Sequence, residues 1–471
     1  MRSPFVKQFV DSGLGNASYL IASEETGLAA IIDAQRDVDQ YLRAAEGLGL
    51  RVAYALDTHL HADFVSGALE LAHQLGGAGP FQIGASSQAG LAYPHLPLSN
   101  GARLSLGDLS IEVLATPGHT PEHVGFAVYG PGALTPAALF SGGSLLVGGA
   151  GRSDLLGHEH ALPLAVAQYH TLHDRLLQLP DEVVVYPTHG AGSFCVAGAD
   201  EERVTTIGRE RRLNPLAQLA SAEAFARQAL AGLPSYPAYY RYMRAVNQQG
   251  GRVLGGLPSL ALLTPEAVCR EIAAGAVVID VRPSAEIIRG HIPGAFGIPL
   301  ATPLITWAGW VVPFGSPLVL VADTAEEREA AVRQLIRIGY DDLRGYLEGG
   351  LAAWQQAGQP MTRWQPLDAE ALRDWLTHKD TPVVLDVRSD REWREGHLPG
   401  AEHMEAGALP RLSGGFWPHD RPLVVHCAHG NRSTVALSIL EQKQMRNLHV
   451  LEGGLASWLE AGYAIFGGDG A

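Results

Sequence analysis

The strongest constraint on this chain is a repeat in its second half. Val277-Val278-Ile279-Asp280-Val281-Arg282 returns as Val383-Val384-Leu385-Asp386-Val387-Arg388. Each copy continues with an acidic residue, Glu286 or Glu392, and then Gly-His-Ile/Leu-Pro-Gly-Ala at 290–295 and 396–401. Leu347-Glu348-Gly349-Gly350-Leu351-Ala352 with Trp354 likewise returns as Leu451-Glu452-Gly453-Gly454-Leu455-Ala456 with Trp458. The matched segments keep their order and nearly their spacing, so this half is one domain duplicated. Short Val/Ile/Leu runs such as Val277–Val281 and Pro422–His426 suit buried parallel strands. Helical stretches such as Glu326–Ile338 and Ser433–Gln442 lie between them, which implies a parallel sheet covered on both faces.

The duplicated pattern resembles rhodanese domains over about residues 258–471, with copies expected at 258–362 and 364–471. The resemblance places the catalytic nucleophile at Cys427, which opens the loop Cys427-Ala428-His429-Gly430-Asn431-Arg432-Ser433. The physics of such a loop agrees. Backbone N–H groups of Ala428, His429, Gly430, Asn431 and Ser433 can curl around a sulfur, and a helix expected to start near Ser433 favours a thiolate at its N-terminus. Arg432 adds a fixed positive charge, and the thiolate is the nucleophilic form. Attack on a sulfane donor gives a cysteine persulfide. Tyrosine-phosphatase-like loops place five residues between Cys and Arg; here only Ala428, His429, Gly430 and Asn431 intervene, which suits a single sulfur. The first copy reads Ala322-Asp323-Thr324 at the same place, and Cys269 lies upstream in a helical stretch, so this copy is expected to be non-catalytic.

Residues 1–255 carry a different signal. After Arg51–Leu56, which reads as a buried strand, comes Asp57-Thr58-His59-Leu60-His61-Ala62-Asp63-Phe64. Thr116-Pro117-Gly118-His119 and Pro187-Thr188-His189-Gly190 supply further histidines at strand ends, an arrangement able to converge on a metal. The combination resembles the metallo-β-lactamase fold, an αββα sandwich, and within it the persulfide dioxygenases, to which Gly151-Arg152-Ser153-Asp154-Leu155 also corresponds. That family uses two histidines and an aspartate on a mononuclear iron; His59 and His119 stand at the histidine positions, but Gly143 stands at the aspartate and Phe64 at a further histidine. Three outcomes follow: Asp63 or Asp154 replaces the carboxylate and keeps iron, or His59, His61 and His119 form a three-histidine site that suits zinc, or the domain is a scaffold. Asp63 and His189 are the reserve ligands. One divalent metal is expected in this domain, Fe(II) first and Zn(II) second.

Composition narrows the rest. With 34 basic and 49 acidic residues the net charge is −15, which argues against nucleic-acid binding. No apolar run approaches the roughly 18 residues of a membrane span, and no signal-peptide core opens the chain. Three cysteines make no disulfide framework, so a reducing cytoplasm is expected. Gly250-Gly251 and Gly255-Gly256 before Pro258 read as a linker. Glu201–Arg203 and Arg209–Arg212 read as solvated helix faces, His158 and His160 as loop residues, Tyr236, Tyr239, Tyr240 and Tyr242 as packing between domains, and Cys195 as a buried thiol. The implied whole is an α/β multidomain enzyme with small-molecule partners, a persulfide or thiosulfate, and a tendency to form homo-oligomers. It would oxidise a low-molecular-weight persulfide to sulfite and carry sulfane sulfur on Cys427. The competing reading is a sulfurtransferase with a hydrolase-like or metal-free first half.

Overall fold

A computed structural model describes residues 4–76, 79–197, 201–412, 417 and 421–467. It divides into two compact units that meet in sequence at Leu257 and Pro258, with Ile336–Gly339 grouped with the first. Among the described residues no helix is long and apolar enough to cross a membrane.

The first unit is a sandwich of two six-stranded sheets. Phe5–Asp11, Asn16–Ser23, Leu28–Ile32, Arg51–Leu56, Gln82–Ser86 and Leu96–Leu98 lie side by side in chain order; the first three are antiparallel and the later ones add in parallel. The second sheet runs Thr205–Thr206, Val184–Pro187, Ala138–Gly142, Val124–Tyr129, Leu109–Ala115, Arg103–Leu106. Period-two alternation explains the layering. In the fully buried strand Asn16–Ser23, Tyr19 and Ile21 join Ile111, Val113, Phe126 and Phe140 between the sheets. Leu20 and Ala22 face the other way, against Tyr41, Ala45 and Leu71 of the covering helices. The outer face of the second sheet is covered in the same way, Leu139 and Val185 meeting Leu172 and Phe225.

The second unit holds two five-stranded, all-parallel sheets of identical order. Leu318–Val321 is central in the first and Leu423–His426 in the second, each buried along its whole length.

Several local expectations are corrected. His158 and His160 form the first turn of the helix His158–Asp174. Glu210 is not solvated: it is buried, and its carboxylate accepts from Gly148 N at 2.9 Å, Thr205 Oγ1 at 2.8 Å and Asn214 Nδ2 at 2.9 Å. Arg203 donates to the carbonyls of Gly15 and Ala191 at 2.6 and 2.8 Å. Tyr239 and Tyr240 pack inside the first unit, with the Tyr239 hydroxyl donating to Asp63 O at 2.6 Å. The helix after Cys427 begins at Asn431, two residues earlier than expected.

Candidate metal centre and sulfur loop

The histidines sit where strands end. His59 and His61 follow Arg51–Leu56, His119 follows Leu109–Ala115, and His189 follows Val184–Pro187, so loops from both sheets meet at one end of the sandwich. Asp33, a non-glycine residue at φ 52°, anchors the first loop by accepting from Thr58 N at 2.7 Å and Thr58 Oγ1 at 2.8 Å. All four rings and Asp63 are buried.

Outer hydrogen bonds fix which nitrogen of each ring carries hydrogen. His119 Nδ1 donates to Arg152 O at 2.7 Å, leaving Nε2 as a lone pair with no partner. His61 Nε2 lies 3.2 Å from Asp33 Oδ1, leaving Nδ1 unpartnered. His189 Nδ1 faces Asn16 Oδ1 at 3.0 Å, and His59 Nδ1 faces the Thr58 hydroxyl at 2.8 Å, whose own hydrogen goes to Asp33. The Nε2 atoms of His59 and His189 therefore meet as two lone pairs 3.3 Å apart. Burial and then the neighbouring imidazoles hold His59 well below its ordinary range, and burial and then His189 push His119 down to about 3. Burial alone would also keep His61 neutral, but Asp33 raises it. His59 and His119 are thus held neutral with inward lone pairs, the state in which imidazole binds a cation, while Asp33 favours the protonated form of His61.

Three donor groups result among the described residues. One nitrogen each of His59, His61 and His189 lies within 4.8 Å of the others, and so do donor atoms of His119, His189 and Cys195, and of Asp33, Asp57 and His61. His189, a reserve ligand of the sequence reading, belongs to the first two. A fifth ring, His123, went unnoticed in the sequence: its Nε2 accepts from Gly143 N at 2.9 Å and its Nδ1 pairs with Thr116 Oγ1 at 2.8 Å. Both of its nitrogens are engaged.

In the second unit Cys427 follows the strand Leu423–His426 directly and is 1% exposed. Gly430 N donates to its Sγ at 3.1 Å. Gly430 caps the twelve-residue helix Asn431–Gln442 at φ 99°, a conformation that favours glycine. The Leu-Glu-Gly-Gly repeat supports the loop from behind. Leu455 N donates to Cys427 O at 2.8 Å, and a Cβ on Gly454 (φ 64°) would lie 2.4 Å from that oxygen. Arg432, expected as a fixed positive charge, forms a two-pronged pair with Glu392 at 2.6 and 2.7 Å. His429 is exposed, Ala428 half-buried, and Ser433 buried. Asn431 Oδ1 accepts from Ser284 Oγ of the first copy at 2.8 Å. In that first copy the N–H groups of Asp323 and Thr324 both point to Glu327 Oε2, at 2.8 and 3.0 Å. A carboxylate of the chain itself fills the loop there.

The rhodanese-like domain model matches residues 264–357 and 368–461. The human mitochondrial persulfide dioxygenase ETHE1 is 32% identical over 211 residues, covering 44% of this chain and 73% of that protein. The chain belongs to the persulfide dioxygenase family. A hydroxyacylglutathione hydrolase of Polaromonas sp. is 29% identical over 249 residues, 47% of this chain and 89% of that protein. The solved metallo-beta-lactamase of Staphylococcus aureus subsp. aureus COL is 30% identical with a TM-score of 0.65, and the match covers 73% of this chain and 99% of that one. The fold is thus a metallo-β-lactamase sandwich followed by two rhodanese-like domains, as the resemblance implied.

As a persulfide dioxygenase relative the chain departs from the implied pattern at Gly143. A Cβ there would lie 2.4 Å from His119 Cδ2, so the space for a carboxylate is taken by the ring. Asp154 does not stand in, since Arg152 grips it at 2.6 and 2.7 Å. Asp63 Oδ2 accepts from Asn16 Nδ2 at 2.7 Å, and its Oδ1 has no partner. Phe64 stacks on His61 at 4.1 Å, buried in place of a ligand. The donors fit a divalent cation held by imidazoles; they do not reproduce a two-histidine, one-carboxylate set.

Proposed function

We propose that this enzyme handles sulfane sulfur at two centres. Cys427 carries sulfur between thiosulfate, a low-molecular-weight persulfide and an acceptor, and the histidine cluster oxidises such a persulfide to sulfite. The carrying observation is the Cys427 sulfur held 3.1 Å from Gly430 N at a helix start, in a chain whose other half belongs to the persulfide dioxygenase family. In the transfer the Cys427 thiolate attacks the outer sulfur of thiosulfate; the Sγ–S bond forms, the S–S bond breaks and sulfite leaves with the electron pair. Cyanide then removes the outer sulfur as thiocyanate and restores the thiolate. The Gly430 N–H and the helix start stabilise negative charge on Sγ in both steps.

At the first centre one dioxygen and one water per persulfide give thiol, sulfite and two protons. His59, His61 and His189, whose donor atoms lie within 4.8 Å of one another, would hold the divalent cation, with His119 and Asp63 beside them. The cation supplies Lewis acidity and, as Fe(II), oxygen reactivity. Asp33 and Arg152 O hold the rings in their binding tautomers.

Gly143 supports a second reading, a sulfurtransferase whose first unit carries a zinc-type centre. Oxygen uptake by the iron-loaded protein with glutathione persulfide separates the two, and none at full loading rejects the dioxygenase. Thiosulfate:cyanide transfer that survives Cys427→Ser rejects the role of the loop.

A further inference from the structure

Cys195, whose donor atom clusters with those of His119 and His189, is not used by either reading of the metal centre. We propose that Cys195 is a metal ligand, forming with His119 and His189 a thiolate-containing site for a borderline-soft divalent cation of the zinc class. The proposal rests on the reading that the histidine cluster holds a metal, and it goes further by naming the anionic donor.

The geometry supplies the argument. An all-imidazole set brings no negative charge to a dication, Gly143 has no room for a side chain, and the buried Asp63 carboxylate is tied at Oδ2 to Asn16. Cys195 is fully buried, and its donor atom and those of His119 and His189 all lie within 4.8 Å of one another. His119 Nε2 is buried with no hydrogen-bond partner, its other nitrogen being committed to Arg152 O. His189 Nε2 is directed inward by Asn16 at Nδ1. The sulfur faces the Tyr240 hydroxyl at 3.8 Å, a weak contact, and the Asp63 carboxylate, which accepts the thiol hydrogen that a metal would displace. The Cys195 backbone is fixed on both sides, its N–H donating to Ser193 Oγ at 3.1 Å and its carbonyl accepting from Arg152 N at 2.9 Å. Arg152 is thus the residue that orients both His119 and Cys195. Imidazole with thiolate is a donor set for zinc rather than for an iron that needs carboxylate and open positions. On binding, the Sγ–H bond breaks, the Sγ–metal bond forms and one proton passes to solvent, with no change of oxidation state.

Cobalt(II) reports this directly, because a cobalt–thiolate bond gives a near-ultraviolet charge-transfer band that imidazole ligands lack. The metal-free full chain is loaded with one equivalent of cobalt(II), and its spectrum and metal content are measured. The band is expected in the wild type and in Cys427→Ser and Cys269→Ser, and is expected to vanish in Cys195→Ser. Cobalt affinity in Cys195→Ser should fall by about tenfold or more, since even outer-shell partners are worth 10–100-fold. Cys195→Asp should retain cobalt without the band, which covers the case in which the serine variant does not fold. Bound cobalt without the band in the wild type overturns the proposal and leaves the histidine centre standing, as does a band that persists in Cys195→Ser. No bound cobalt overturns both.

Discussion

Building a carboxylate back onto Gly143 would put its Cβ 2.4 Å from His119 Cδ2 and 3.0 Å from Nε2. Gly143→Asp therefore has to displace a ring that Arg152 O holds at 2.7 Å. Overpacking of this kind costs about 1–3 kcal/mol. The variant should lower the urea midpoint and bind less metal by elemental analysis, instead of gaining an iron site. Glu392 offers a test of a different sign. Arg432, ahead of all other influences, holds its carboxyl down from 4.5 to about 2. A carboxyl depressed by folding contributes stability that is fully present above about pH 4.5 and lost as pH falls through about 2. Glu392→Gln removes that contribution. Its urea midpoint should lie below the wild type's at pH 6 and converge with it as the pH falls through this window; parallel curves would refute the pairing. The motif glutamate was visible in the sequence, but its partner was not. Two residues 40 positions apart meet only because the first turns of the helices Asp390–Glu395 and Asn431–Gln442 face each other.

At the scale of elements, strand, loop and helix around Cys427 act together with the Gly453-Gly454 turn. Gly454 is at φ 64°, and its Cβ would meet Cys427 O at 2.4 Å and Ala428 C at 2.8 Å. Gly454→Ala is thus strained twice, in its own backbone and against the loop it supports. Thiosulfate:cyanide transfer should fall severalfold more in Gly454→Ala than in Gly462→Ala, where φ is 78° but no atom lies within 4 Å. Equal losses would show that backbone strain, not support of the loop, makes the glycine necessary. The strands and helices themselves followed the sequence closely: the expected helix Glu326–Ile338 is Ala325–Arg337, and the expected strand Arg51–Leu56 has those bounds. The elements read wrongly were polar ones. His158 opens a helix and Glu210 is buried, because tertiary hydrogen bonds override what charge alone suggests.

At the scale of the whole molecule, duplication has given two loops with opposite electrostatics. Ala322 stands where Cys427 does, each directly after its central strand, and Glu327 stands five residues on, as Arg432 does. Glu327 accepts the N–H groups of Asp323 and Thr324, so an acidic side chain of the chain itself occupies that side of the loop. Adding only the thiol should therefore restore nothing: Ala322→Cys in a Cys427→Ser background should leave thiosulfate:cyanide transfer at background. Transfer above background would show that Glu327 does not block the loop.

The sequence by itself determined the duplication, the parallel sheets, the place of Cys427 after a central strand and the set of histidines, because periodicity, repeats and residue chemistry are written along the chain. Only the tertiary structure decided which atoms meet. It placed His189 in two of three donor groups, drew in His123 and Cys195, engaged Asp154 with Arg152, and filled the space beside Gly143 with the His119 ring. Ligand convergence depends on where loops from two sheets end relative to each other, a relation between distant segments that no local pattern encodes.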